Sequence, residues 1–442
     1  PCAGILRPVN ERYLNIHVIS IMKNMKKLIH VPGAFAVLII LSALFILPAC
    51  EKFRSPDREP KQIELRKKSA EIIRADREFA FELFREVCEL NEQENIMVSP
   101  LSVSYALGMT LNGAAGTTRD AFRDVLHFGD LTDQEVNESY QDLMDQMVRL
   151  DEQVKFSIAN SIWYRLGYQV LEEFITINRT YFDAMVSELD FSDPQSVEII
   201  NDWIEEKTNG KIRDMLDRIP GDAVMYLINA IYFNAKWKYE FDPEDTSPGT
   251  FYLKDGTAHT ADFMKLKGSF NYYQETSDYS AVELPYGDST FSMVVVLPGE
   301  GKSVEEMAEN LDLEQWDSWF ATPVYRDVQI ELPKFKYGFK DLLNDPLKNL
   351  GLEVAFSGGA DFSRITPGGG IYISRVIHQT FIDVREEGTE AAAATIVELR
   401  EVASPGPPVF RADRPFLYLI RENSTGAILF MGKVGRPEYE EQ

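Results

Sequence analysis

Cysteine is scarce in this 442-residue chain, which holds only Cys2, Cys50 and Cys88. That excludes a disulfide-stapled scaffold, and the length makes staples unnecessary, because a chain of this size can bury a large core unaided. Histidine is scarce too. None of His17, His30, His127, His259 and His378 stands in a zinc-site spacing or a His-Glu-x-x-His run, so neither a metal nor a cofactor is expected. Basic charge is short: 45 Lys and Arg face 70 Asp and Glu, for a formal net charge of -25. Such a surface repels phosphates and anionic headgroups, which removes nucleic acid and bare lipid as partners. The sequence also lacks an internal repeat and the Gly-x-Ser-x-Gly elbow that presents a hydrolase serine.

What is present begins with a targeting pattern. Lys23, Lys26 and Lys27 precede an apolar run over 34–47 that ends in Leu47-Pro48-Ala49-Cys50. A basic stretch followed by an apolar run too short to span comfortably reads as a secretory signal over 1–50. Small Ala49 before Cys50 resembles a bacterial lipoprotein box, making Cys50 the candidate lipidation site; a plain cleaved signal and an uncleaved anchor are the alternatives. Met22 and Met25 stand just before the lysines, so residues before about 22 are expected to lie upstream of the translation start. Residues 51–69 are dominated by charge and interrupted by Pro56 and Pro60, and read as a tether. The protein is therefore expected to be exported, either lipid-anchored to the cell envelope or secreted, with membrane contact only through that anchor.

The globular part is read as one domain over 70–442. Ile72, Phe79, Leu83, Phe84, Val87 and Leu90 recur at helical spacing after Ser69. Ser99-Pro100 opens a second helix, since serine caps and proline suits the first helical position. Thr117 with Asp120 resembles a capping box for a third. Strand-like runs follow at 154–164, 224–233, 291–298, 372–384, 415–420 and 427–434. The 224–233 run is apolar on both alternating faces, as in a central strand covered on both sides. Helices gathered early and strands late, without regular alternation, predict an α+β fold.

Three segments, in order, carry a resemblance: Asn95-Ile96-Met97-Val98-Ser99-Pro100 with Leu111-Asn112-Gly113-Ala114; then Leu227-Ile228-Asn229-Ala230-Ile231-Tyr232-Phe233 with Trp237; then 383–395, Asp-Val-Arg-Glu-Glu-Gly-Thr-Glu-Ala-Ala-Ala-Ala-Thr. Each is similar to a serpin signature, and weaker similarity spans about 70–437. The resemblance implies three β-sheets, eight or nine helices and an exposed reactive-centre loop, here about 386–408. It also implies a non-enzymatic inhibitor of serine proteases. In that mechanism the loop is cut and enters the main sheet while the enzyme is still acyl-linked. A non-inhibitory binding protein or chaperone of the same fold is the alternative.

The residues are compatible with insertion. If Thr389 points inward, Ala391, Ala393 and Thr395 do too, all small and uncharged, while Glu390 points outward. The hinge is thus Glu386, Glu387, Gly388, Thr389, Glu390, Ala391, Ala392, Ala393, Ala394 and Thr395, with Gly388 as a pivot free of a Cβ. Four alanines also favour a helix, but the preceding motif and strand outweigh that reading. By counting along the loop, the bond to be cut is Val402-Ala403, with Arg400-Glu401 as the alternative; Ser404-Pro405 is disfavoured because proline lacks the N–H. A small aliphatic residue before the bond favours elastase-like or subtilisin-like partners, met by a monomer. Ser99, Asn229 and His378 look catalytic. The resemblance makes them instead a hydrogen-bonded shutter beneath the main sheet, and Trp237 an aromatic plug where the loop enters.

Overall fold

Ile72, Phe79, Leu83, Phe84 and Val87 form one stripe of the first helix, and all five are buried. That helix, α1 (Ser69–Leu90), leads through β1 (Asn95–Val98) to α2 (Pro100–Leu111), α3 (Gly116–Val125) and α4 (Asp133–Met147). Ser99 caps α2 by accepting from the Ser102 N–H, and Pro100 fills the first helical position. The capping box expected at Thr117 does not form. Helix α3 starts at Gly116 with Ala115 as its cap, and a hydrogen bond from the Ala115 N–H to the Asp361 carbonyl fixes that start from outside the helix. A capping box does occur one helix later, at Thr132 and Glu135.

The computed structural model describes residues 59–66, 68–275, 278–389 and 406–440. After α4 come β2 (Val154–Arg165), α5 (Glu172–Phe182), β3 (Met185–Leu189), α6 (Gln195–Lys207) and β4 (Met225–Lys236). The middle of the chain holds β5 (Ser247–Tyr252), β6 (Ala258–Glu275), β7 (Tyr279–Tyr286) and β8 (Phe291–Pro298). Then follow α7 (Val304–Asn310), α8 (Leu313–Phe320), β9 (Val324–Pro333), β10 (Phe335–Leu342) and α9 (Asn344–Leu347). Last are β11 (Ile377–Val384), β12 (Gly388–Thr389), β13 (Val409–Arg411), β14 (Phe416–Glu422) and β15 (Ile428–Val434).

Among the described residues these strands make three hydrogen-bonded sheets. One has nine strands in the order β1-β15-β14-β8-β7-β6-β9-β13, with β5 alongside β6; one has four, β12-β4-β2-β3; one is the β10-β11 pair. Every residue of β8 is buried, as a strand covered on both faces requires. Strand β4, expected to be of that kind, is only half-buried along its length. The reason is its surroundings: β2 pairs along one edge, while on the other only β12 does, at two residues. Among the described residues β4 and β11 share no ladder.

Strand β11 is shorter than the apolar run beginning at Tyr372 suggests. The backbone before it is taken by other partners: Val376 N–H donates to Asn344 Oδ1, Asn344 Nδ2 donates to the Ser374 carbonyl, and Leu343 N–H donates to the Val376 carbonyl. With the Val376 N–H and carbonyl and the Ser374 carbonyl taken, the ladder stops at Ile377.

The end of the span read as a tether lies against the domain. Ile63 is buried, its N–H donates to Ser424 Oγ, and Glu64 exchanges two hydrogen bonds with the Gln146 side chain. Charge alone hid this, because one isoleucine among charged residues makes no periodic signal. Among the described residues no helix is long and apolar enough to cross a membrane. The signal-like segment and Cys50 lie outside the described residues.

Candidate functional site at the mouth of a split sheet

The turn joining β11 to β12 is held from several sides. Arg385 and Gly388 exchange backbone hydrogen bonds, each 3.1 Å. Trp237 N–H donates to the Glu387 carbonyl (3.0 Å), Trp237 Nε1–H to the Arg385 carbonyl (2.9 Å), and Phe241 N–H to the Glu386 carbonyl (2.9 Å). Trp237 is buried and stacks on Tyr286, ring centroids 4.4 Å apart. The turn also contains a nearly dry ion pair between Glu386 and Lys334 at 3.1 Å, with side chains 9% and 12% exposed. Burial works against the Glu386 charge. Backbone donors, Thr246 and Lys334 outweigh it and hold the carboxylate below its usual range.

Gly388 must be glycine here. Its φ is +143°, and a Cβ would stand 2.3 Å from the Ala235 carbonyl oxygen and 2.6 Å from Lys236 Cα. No side chain fits so close to a neighbouring backbone. Next to it Thr389 is buried, and its hydroxyl shares a 3.0 Å hydrogen bond with the Tyr286 hydroxyl. These two residues form β12 and pair antiparallel with Lys236 and Ala235 of β4. Residues 390–395, and both candidate bonds, Val402-Ala403 and Arg400-Glu401, lie outside the described residues.

Below β12, cavities of about 330 Å³ and 30 Å³ lie between β4 and the chain of β11 with its lead-in. The larger is lined by α2, by Leu227 and Asn229 of β4, and by Tyr372 and His378. The structure joins Ser99 to His378 here: the Ser99 backbone N–H donates to His378 Nε2 at 3.0 Å. The Ser99 hydroxyl donates instead to the Leu429 carbonyl (2.8 Å), so its proton points away from the imidazole. That geometry fits a cap and spacer, not a nucleophile beside its base. Burial pushes His378 down to about 4, which keeps it a neutral acceptor. Asn229 does not touch that pair directly. It accepts from the Ser102 hydroxyl and donates to Asn160 Oδ1 (2.6 Å), so it meets the same end of α2 three residues further along.

Several residues of the site gave no sequence signal of their own. Tyr286 ends β7 and Thr246 lies just before β5, both in unremarkable sequence, and nothing but the fold brings them to the hinge. Glu386 lies in the 383–395 motif, yet its pairing with Lys334 is legible only in space. Among the described residues no group of His, Cys, Asp and Glu could hold a metal ion.

The class is now defined: an α+β fold of three sheets in which the connection from β12 to β13 leaves from the mouth of a gap in a sheet, with nine α-helices among the described residues. A sequence model of the family described as serpin (serine protease inhibitor) matches residues 74–437, and the chain belongs to the serpin family. An uncharacterized serpin-like protein of Methanosarcina acetivorans is 38% identical over 383 residues, covering 84% of this chain and 89% of that one. Human serpin I2 is 33% identical, covering 82% and 91%. Among solved structures, tengpin, a thermophilic serpin in its native state, matches with a TM-score of 0.76 at 31% identity over 86% of this chain and 97% of its own. Human thyroxine-binding globulin, solved with its ligand, matches with a TM-score of 0.77 at 28% identity, covering 84% and 99%. Similarity thus extends both to a family described as serine protease inhibitors and to a protein of like fold that binds thyroxine.

Proposed function

We propose that the protein is a suicide inhibitor of serine proteases. The loop of about 386–408 is cut at Val402-Ala403, or alternatively at Arg400-Glu401. The protease serine oxygen forms an ester with the Val402 carbonyl as the amide breaks, and the new amine leaves on Ala403. Insertion of the freed segment between β4 and β11 then outruns hydrolysis of that ester.

One observation carries this reading: β12 already pairs with β4 at the mouth of the gap. Continued in the same register, residue 399 comes opposite Met225, the first residue of β4. The segment N-terminal to either bond is therefore long enough to complete the strand. Alternation places Ala391, Ala393, Thr395, Val397 and Leu399 on the buried face of Thr389, while Glu390, Glu398 and Arg400 fall on the other. No charge need be buried for the loop to enter. Ser99, His378, Asn229 and Trp237 act as structural parts of the gap, opening and closing it rather than reacting. The protein acts outside the cytoplasm, anchored through Cys50 or secreted, on elastase-like or subtilisin-like enzymes.

The test is incubation with elastase, chymotrypsin, trypsin and subtilisin, followed by denaturing electrophoresis and N-terminal sequencing of the released fragment. A complex stable to denaturant and a fragment beginning at Ala403 are expected; a fragment beginning at Glu401 moves the bond to Arg400. Cleavage by every enzyme with no stable complex would falsify trapping and leave the alternative, a non-inhibitory binder or chaperone. That alternative has a counterpart in thyroxine-binding globulin. It predicts a bulky, charged or proline residue on the inward face, where this chain has Thr389, Ala391, Ala393 and Thr395.

A further inference from the structure

After β15 the chain does not leave the domain. Gly435 and Arg436 donate their N–H groups to Asn95 Oδ1, and Asn95 Nδ2 donates back to the Arg436 carbonyl (2.7 Å). Pro437 is buried, with its carbonyl 2.9 Å from His259 Nε2, and the Lys336 N–H donates to the Glu438 carbonyl at 2.8 Å. Five backbone anchors thus run the tail past the start of β10 toward the hinge turn. They set Tyr439 where its ring covers Lys334, the ammonium 4.3 Å from the ring centroid.

Lys334 is the partner of Glu386, so the tyrosine covers the buried ion pair of the turn. Its hydroxyl faces the Arg385 guanidinium and the Asp383 carboxylate. Arg385 itself closes the turn through its two backbone bonds to Gly388 and pairs through its side chain with Glu387 at 2.9 Å. Tyr439 therefore touches the last residues of β11, the turn and the lysine that pins it. An ammonium over a tyrosine face is attractive, more so where water is excluded, and a half-buried ring keeps water from the pair beneath.

We infer that the tail over 437–440 is a latch on the loop's entry, in which Tyr439 positions the 385–388 turn so that an inserting strand starts in register. The same turn serves the intact and the inserted loop: it reverses the chain between β11 and β12, and any strand continued from Thr389 must begin there. Loosening it delays the start of insertion and gives the acyl-enzyme longer to hydrolyse. Tyr439 is a positioning residue, since it touches neither the bait nor the attacking enzyme.

The part of this inference that concerns trapping rests on the inhibitory reading; the part that concerns the turn does not. Two readouts keep them apart. In the uncleaved protein, hydrogen exchange is followed at the amides of Gly388, Trp237 and Phe241, which donate to the carbonyls of residues 385–387. Tyr439→Ala is expected to speed exchange there tenfold or more, with Tyr439→Phe, which keeps the ring but not the hydroxyl, in between. With a protease that the parent traps, Tyr439→Ala is expected to raise the moles of inhibitor consumed per mole of enzyme at least twofold. Unchanged exchange at all three amides overturns the latch, and so does faster exchange joined to unchanged consumption. If the parent traps no protease, the inhibitory reading falls, and exchange alone decides whether Tyr439 holds the turn.

Discussion

Thr389 and Gly388 concentrate the chemistry of the hinge in two side chains, one small and one absent. Thr389 lies in a closed environment with its hydroxyl bonded to Tyr286. Arginine there would have to bury a charge with no partner, at a cost of several kcal/mol. On the inhibitory reading, Thr389→Arg is therefore expected to turn the protein into a protease substrate, with a cleaved band in place of a denaturant-stable complex on a gel. Unchanged complex formation would show that Thr389 does not face inward during insertion. Gly388→Ala tests the neighbouring position by a different route. Its methyl meets the Ala235 carbonyl at 2.3 Å, so β12 must detach from β4, and faster hydrogen exchange at the Trp237 amide, which donates to the Glu387 carbonyl, is the outcome that checks it.

Two buried titratable groups act through the elements they join, and with opposite signs. His378, on β11, meets the start of α2, and burial pushes it down to about 4. Unfolded, it takes up a proton near pH 6.5, so the unfolded state binds more protons between about 4 and 6.5, and stability falls as pH drops through that window. Asp76, on α1, accepts from the Tyr140 hydroxyl of α4 at 2.7 Å, and burial pushes it up to about 7. There the folded state holds the extra proton, so the contribution is present at low pH and lost as pH rises toward 7. The effect is worth roughly 3 kcal/mol at most for His378 and roughly 4 kcal/mol at most for Asp76, and in the parent they oppose each other. Asp76→Asn should unmask the histidine: denaturant midpoints should fall by an amount worth about 2 to 3 kcal/mol from pH 7 to pH 4. A flat profile in that variant would mean that His378 does not stay neutral in the fold.

For the whole molecule, the split between the β12-β4-β2-β3 sheet and the β10-β11 pair is the feature with the largest consequence. Among the described residues β4 and β11 share no ladder, and on the inhibitory reading the inserted strand pairs with both. Cutting the loop with a protease that is not trapped frees that strand, and the melting temperature should rise by about 2–4 °C for each kcal/mol that insertion gains. Scanning calorimetry of cut and uncut protein checks it; an equal or lower value for the cut form would mean that nothing inserts. By itself the sequence determined the α+β class, the Ser99-Pro100 helix start, the apolar stripe of α1 and a strand at 291–298, because these follow from short-range spacing and capping; which strand is covered on both faces it misplaced. It also determined the small, alternating character of the hinge, which is a property of consecutive side chains. Only the tertiary structure decided that, among the described residues, β4 and β11 share no ladder, that Asn344 takes the backbone ahead of β11, and that Lys334, Tyr286 and Tyr439 converge on residues 385–389. Those are meetings of residues far apart in the chain, Tyr286 and Thr389 by 103 positions, on surfaces that no local pattern describes. The hinge, compatible with insertion when read as a string of residues, became a turn held on every described side by partners that the chain order does not reveal.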